Sequence, residues 1–119
     1  MDLIIGGAYQ GKTAYAKEKY KLTDEDVFTC TQEGKIDLSR RCLTHFEEYL
    51  MYAYKNGISE LPAFREDAVI IMNDIFCGVV PIDADIRGWR EHAGRAGAAL
   101  TRQADHVTRI FCGLAQELK

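Results

Sequence analysis

Eight consecutive positions near the start of the chain, Gly6-Gly7-Ala8-Tyr9-Gln10-Gly11-Lys12-Thr13, satisfy the P-loop pattern G-x-x-x-x-G-K-[ST]. Glycines let such a loop turn its backbone N–H groups toward a phosphate chain. The lysine ammonium reaches the outer phosphates, and the threonine hydroxyl is a hard oxygen ligand for magnesium. The chemistry predicted is the binding of a nucleoside triphosphate, ATP or GTP with Mg2+. Lys12 would neutralise charge on a transferring phosphoryl group. A loop of this kind also needs a carboxylate at the end of a neighbouring buried strand to orient the hydrated metal. Asp74, just past the run Ala68-Val69-Ile70-Ile71-Met72, is placed for that, whereas Asp67 stands at the wrong end of the run. The expected metal set is therefore Thr13 and Asp74. The blander role for Asp74 is a turn residue or a helix cap.

Other polar residues carry weaker signals. Arg87, Arg90, Arg95 and Arg102 fall on one flank of a long helical pattern, nearly opposite its apolar stripe. They read either as a solvated face or as contacts for a phosphate or substrate. Gly94 and Gly97 lie in the same segment, where each costs roughly 1 kcal/mol against alanine and calls for close backbone approach. His45 borders an apolar stripe and reads, by itself, as a half-buried packing residue. His92 and His106 read as structural or solvated. The four cysteines, Cys30, Cys42, Cys77 and Cys112, form no C-x-x-C pair, so they read as reduced, mostly buried thiols rather than metal ligands or a disulfide frame.

The elements that must hold these residues follow from pattern. Asp2 to Ile5 is a short apolar run ending on a double glycine, and Thr13 to Lys21 is rich in helix formers; together they read strand, loop, helix. Val27 to Thr29 reads as a second strand. From Asp37 to about Tyr54, Cys42, Phe46, Tyr49, Leu50 and Ala53 mark one helical stripe, closed by Asn56-Gly57. Ala68 to Met72 is a β-branched run covered on both faces, and Gly78 to Pro81 a loop. Asp83 to about Ala104 is a helix with Ile86, Trp89, Ala93, Gly97, Leu100 and Ala104 on its stripe. Val107 to Cys112 is a strand, and Leu114 to Lys119 turns back as a short C-terminal edge strand.

This alternation predicts an α/β fold, a P-loop NTPase-like, mostly parallel sheet with helices on both faces. Ligands bind beyond the carboxyl ends of its strands. With 119 residues, the span 1–119 is one nucleotide-binding domain. Its 47% hydrophobic and 28% charged residues are those of an ordinary globular chain. No apolar run approaches the roughly 20 residues of a membrane span, and the start lacks a secretory layout, so a cytoplasmic location is expected. A net charge of −3 argues against nucleic acid as the main partner.

Beyond these patterns the chain resembles the adenosylcobinamide kinase / adenosylcobinamide-phosphate guanylyltransferase family of cobalamin biosynthesis. The family opening, Gly-Gly-Ala, a variable pair and Gly-Lys-Ser, is matched by Gly6 to Thr13. Its Asn-Glu-Val-Gly-x-Gly-x-Val-Pro is matched by Asn73-Asp74-Ile75-Phe76-Cys77-Gly78-Val79-Val80-Pro81. Its Arg-x-x-Arg-(Asp/Glu)-x-x-Gly-Arg is matched by Arg87, Arg90, Glu91, Gly94 and Arg95, followed by Ala104-Asp105 and the ending Gly113 to Lys119. The resemblance implies phosphorylation of the cobinamide hydroxyl by a nucleoside triphosphate, then transfer of GMP to that phosphate through a guanylylated histidine. It also implies a corrinoid (adenosylcobinamide) substrate and a homo-oligomer, a trimer.

The middle of the chain is shorter than in the family by about one strand-helix unit, and two registers remain open there. In one, the family's Met-x-x-Arg-Ile-x-x-His falls on Leu38, Arg41, Cys42 and His45, which makes His45 the GMP acceptor. In the other, the same stretch matches a later helix that only packs, and the nucleophile is deleted. The family's Asn-Gln after Gly-Arg is Gly97-Ala98 here, and its Glu is the shorter Asp74. A bifunctional enzyme, a kinase alone and a non-catalytic nucleotide-binding protein all remain open.

Overall fold

The structure, a computed structural model, describes residues 1–75 and 83–119. The loop expected over Gly78 to Pro81, and Cys77 with it, lies outside the described residues. In chain order the elements are β1 (Asp2–Gly6), α1 (Lys12–Tyr20), a 3-10 turn (Asp24–Asp26), β2 (Val27–Thr29), β3 (Cys42–Thr44) and α2 (Phe46–Lys55). There follow β4 (Val69–Asn73), α3 (Ala84–Gln103), β5 (His106–Phe111) and β6 (Leu114–Glu117). The strands form one sheet in the order β2-β3-β4-β1-β5-β6. All neighbours run parallel except β5 and β6, which pair antiparallel as the expected edge hairpin.

Strict alternation along the inner strands divides two apolar layers. Leu3, Leu43, Ile70, Met72 and Val107 face α2 and α3, where they meet Phe46, Leu50, Ala53, Ala93 and Leu100. Ile4, Cys42, Val69, Ile71 and Ile110 face the other way, onto Ala16 of α1 and Leu22. The central strand β1 is sealed on both sides, with Leu3 at 1% and Ile4 at 0% exposure. Helices thus cover both faces, as the pattern predicts. The start of α3 is capped by the Asp83 carboxylate, which accepts from the amides of Asp85 at 2.8 Å and Ile86 at 3.1 Å.

One expected element is corrected. The helix read from Asp37 to about Tyr54 is a strand followed by a shorter helix. Cys42–Thr44 is strand β3, inserted between β2 and β4, and α2 begins only at Phe46. A strand of three residues buried on both faces has too little alternation to read. Cys42 and Phe46, four positions apart, imitate a helical stripe across the break. His45, with φ 56, is the left-handed residue at which the chain leaves the sheet and enters the helix.

Candidate functional site

Gly6 closes β1 in register with Asn73 of β4 and Ile110 of β5. A Cβ there would stand 2.5 Å from the Ile110 carbonyl oxygen, so only glycine lets three strands converge at this point. The loop Gly7–Gln10 then leaves the sheet and returns at Gly11, whose φ of 87 admits it as the residue before α1. No side chain caps α1 and no acidic residue lies in its first turn, so its leading amides and positive dipole end serve the loop.

Lys12 folds back across this loop, donating from Nζ to the Gly7 carbonyl at 2.6 Å. Its side chain is buried, and burial lowers the ammonium pKa from its ordinary value while the nearby Glu47 carboxylate works in the opposite direction. The Thr13 hydroxyl lies 3.4 Å from that of Thr44, which is itself 3.4 Å from Nδ1 of His45. These groups line one cavity of about 290 Å³, formed by Ala8, Tyr9, Gln10, Gly11, Lys12, Thr13, Ala14, Thr44, His45 and Asn73. It opens at the carboxyl ends of β1, β3 and β4, where an open parallel sheet presents its ligand site.

The expected loop residues Ala8 to Thr13 are therefore brought together on the cavity, while Gly6 and Gly7 precede them outside its lining. His45 joins them, but not as a half-buried packing residue; it is exposed and faces the cavity. Asp74 follows the cavity residue Asn73, and its amide donates to the Gly6 carbonyl at 2.8 Å. Asp74 does not itself line the cavity. Arg87, Arg90 and Arg95 lie along α3, outside the cavity lining, with Arg87 and Arg95 exposed. His92 is half-buried beside Tyr54, with ring centroids 6.3 Å apart, and burial lowers its pKa. His106 is exposed at the start of β5. Cys30 and Cys42 are buried as expected, whereas Cys112 is exposed at the tip of the β5–β6 hairpin.

Three features carried no sequence signal. Thr44 reaches the cavity only because β3 exists. The hairpin tip is tied to the loop: the Cys112 amide donates to Oε1 of Gln10, and the Gly113 amide to the Gln10 carbonyl at 3.1 Å. Glu47, in the first turn of α2, is 1% exposed and accepts the Asn73 amide at 2.8 Å on Oε1. A lone Glu among helix-forming residues gives no hint of such burial.

Among the described residues no group of three or more His, Cys, Asp or Glu could hold a metal ion. The side-chain oxygens of the lining are those of Tyr9, Gln10, Thr13, Thr44 and Asn73, with the Asp74 carboxyl one residue beyond the cavity. Magnesium in a nucleotide site is held by one or two carboxylates plus substrate phosphates rather than in an all-protein cage, and Asp74 is the carboxylate that would serve here.

The fold and the cavity define an α/β protein of P-loop-like architecture, built around the end of its central strand. Residues 38–118 match the family model of cobinamide kinase / cobinamide phosphate guanyltransferase, and the chain belongs to that family. The matched span begins after the loop of Gly6 to Thr13 and takes in His45, Asp74, the arginines of α3 and the closing hairpin. No curated protein matches the chain. No helix among the described residues is long and apolar enough to cross a membrane.

Proposed function

We propose that this chain is a nucleotide-dependent kinase that phosphorylates adenosylcobinamide or a similar alcohol, using ATP or GTP with magnesium. The observation that carries the proposal is the cavity at the end of β1, where Lys12 and the first turn of α1 converge in a chain of the cobinamide kinase family. The amides of Gly7 to Thr13 would hold the β- and γ-phosphates, and Lys12 would leave the Gly7 carbonyl to meet the γ-phosphate. The Thr13 hydroxyl would ligate magnesium directly, with Asp74 holding its water. When bound, the metal supplies charge neutralisation on the phosphate oxygens. The substrate hydroxyl oxygen bonds to the γ-phosphorus as the bond to the β-phosphate oxygen breaks; the nucleoside diphosphate leaves and the hydroxyl proton passes to solvent. Positioning and charge stabilisation suffice for such a step, with no covalent protein intermediate. Arg87, Arg90 and Arg95 are proposed contacts for phosphate or corrinoid.

Guanylyl transfer is a second reading, favoured by His45, whose exposed imidazole faces the same cavity. A ring nitrogen would bond to the α-phosphorus of GTP, releasing pyrophosphate. The cobinamide phosphate oxygen would then take the GMP and free the histidine.

Transfer of label from γ-labelled ATP or GTP to cobinamide, lost in Lys12→Ala, is the expected result. Nucleotide binding without any transfer would leave a binding protein instead. For the second reading, α-labelled GTP should leave an acid-labile label on the intact chain and none on His45→Ala; an unlabelled intact chain removes that reading.

A further inference from the structure

Among the described residues Glu47 is the only buried acid. Its Oε1 accepts the Asn73 amide at 2.8 Å, and its backbone carbonyl accepts the Trp89 indole N–H at 2.8 Å, which pins α2 to both β4 and α3. Its Oε2 has no hydrogen-bond partner among the described residues. A buried carboxylate oxygen left without a partner is costly, and a neutral amide would fasten Asn73 as well. The packing role therefore does not account for a carboxyl at this position.

The carboxyl stands directly behind the cavity wall. Asn73, whose amide Glu47 holds, lines the cavity, and the Lys12 ammonium responds to the Glu47 carboxylate. At 1% exposure a carboxylate there is little screened by water.

We propose that Glu47 makes the cavity selective for the magnesium-complexed nucleotide over the bare triphosphate. The inference rests on the nucleotide reading above. A bare triphosphate brings roughly twice the negative charge of its magnesium complex. Repulsion from a fixed, poorly screened carboxylate grows with that charge, so it falls hardest on the bare form. Glu47 is thus a specificity residue that acts from behind the cavity wall, through charge rather than contact with substrate.

The test is the ratio of two dissociation constants, for nucleotide with excess magnesium and for nucleotide with chelator. It is measured calorimetrically in mildly alkaline buffer. Glu47→Gln keeps the size and the acceptor for Asn73, and its thermal unfolding reports on the fold. In this variant bare nucleotide is expected to bind about tenfold tighter or more, with the magnesium complex changed by less than about threefold. Glu47→Asp, which keeps the charge, should retain most of the intact ratio. Glu48→Gln, which removes a neighbouring charge that is bound instead to Gln32, should leave the ratio unchanged. An unchanged ratio in Glu47→Gln, or a ratio lost in Glu47→Asp, overturns the inference while the nucleotide reading stands. Failure of the intact chain to bind either form overturns both.

Discussion

At the scale of single residues, burial decides what each titratable group can do. Glu47 lies in the apolar layer under α2, and desolvation holds its carboxyl above the ordinary 4.5 despite the Asn73 amide. The folded chain therefore keeps a proton there that the unfolded chain releases. That contribution to stability is complete below pH 4.5 and is lost as pH rises through the raised folded value. The urea midpoint of the intact chain should accordingly fall relative to that of Glu47→Gln as pH rises from 4.5, and parallel curves would show that Glu47 titrates alike in both states. The thiols are governed by the same physics. Burial pushes Cys30 up to about 12 and Cys42 up to about 11, leaving almost no reactive thiolate at neutral pH. Brief iodoacetamide treatment followed by peptide mapping should find Cys112 modified and Cys30 and Cys42 intact until denaturant is added.

At the scale of elements, β3 is the piece on which the site depends most. It brings Thr44 and His45 to the cavity, and it joins β2 to the rest of the sheet through Cys42, Leu43 and Thr44. Leu43 is 1% exposed between the sheet and α2, so Leu43→Ala should cost about 2–5 kcal/mol in equilibrium unfolding, as core truncations do. A loss under about 1 kcal/mol would mean that β2 and β3 contribute little to the cooperative fold. The β5–β6 hairpin plays a smaller part, bracing the loop at Gln10 from the opposite side of the cavity.

At the scale of the whole molecule, the cavity lies where the two apolar layers meet at the end of the sheet. α1 packs on one, α2 and α3 on the other, and all three of β1, β3 and β4 end at its rim. A ligand filling it ties the layers together and should raise the unfolding temperature of the entire chain. At a free magnesium-nucleotide concentration about 100 times the dissociation constant the added stability is about 2.7 kcal/mol. The shift should vanish in Lys12→Ala. A shift of equal size in that variant would place the nucleotide elsewhere.

Much of this architecture is local and therefore legible in the chain itself. The glycines and Lys12-Thr13 that start α1, the β-branched run of β4, the stripe of α3 and the Gly113 turn are each set by neighbours in sequence, because backbone conformation and side-chain period act over a few residues. The loop of Gly6 to Thr13 and the likeness of Asn73 to Pro81 and Arg87 to Arg95 to the cobinamide family were readable for the same reason. What only the tertiary structure decided depends on burial by distant segments. Three residues became β3 because β2 and β4 offered hydrogen bonds on both sides, against their own helical spacing. That insertion turned His45 from a packing residue into a cavity residue. It also set Glu47 behind Asn73, where its charge is felt by a lysine 35 positions away in sequence. Electrostatics and strand pairing act through space, and no window of sequence contains both partners.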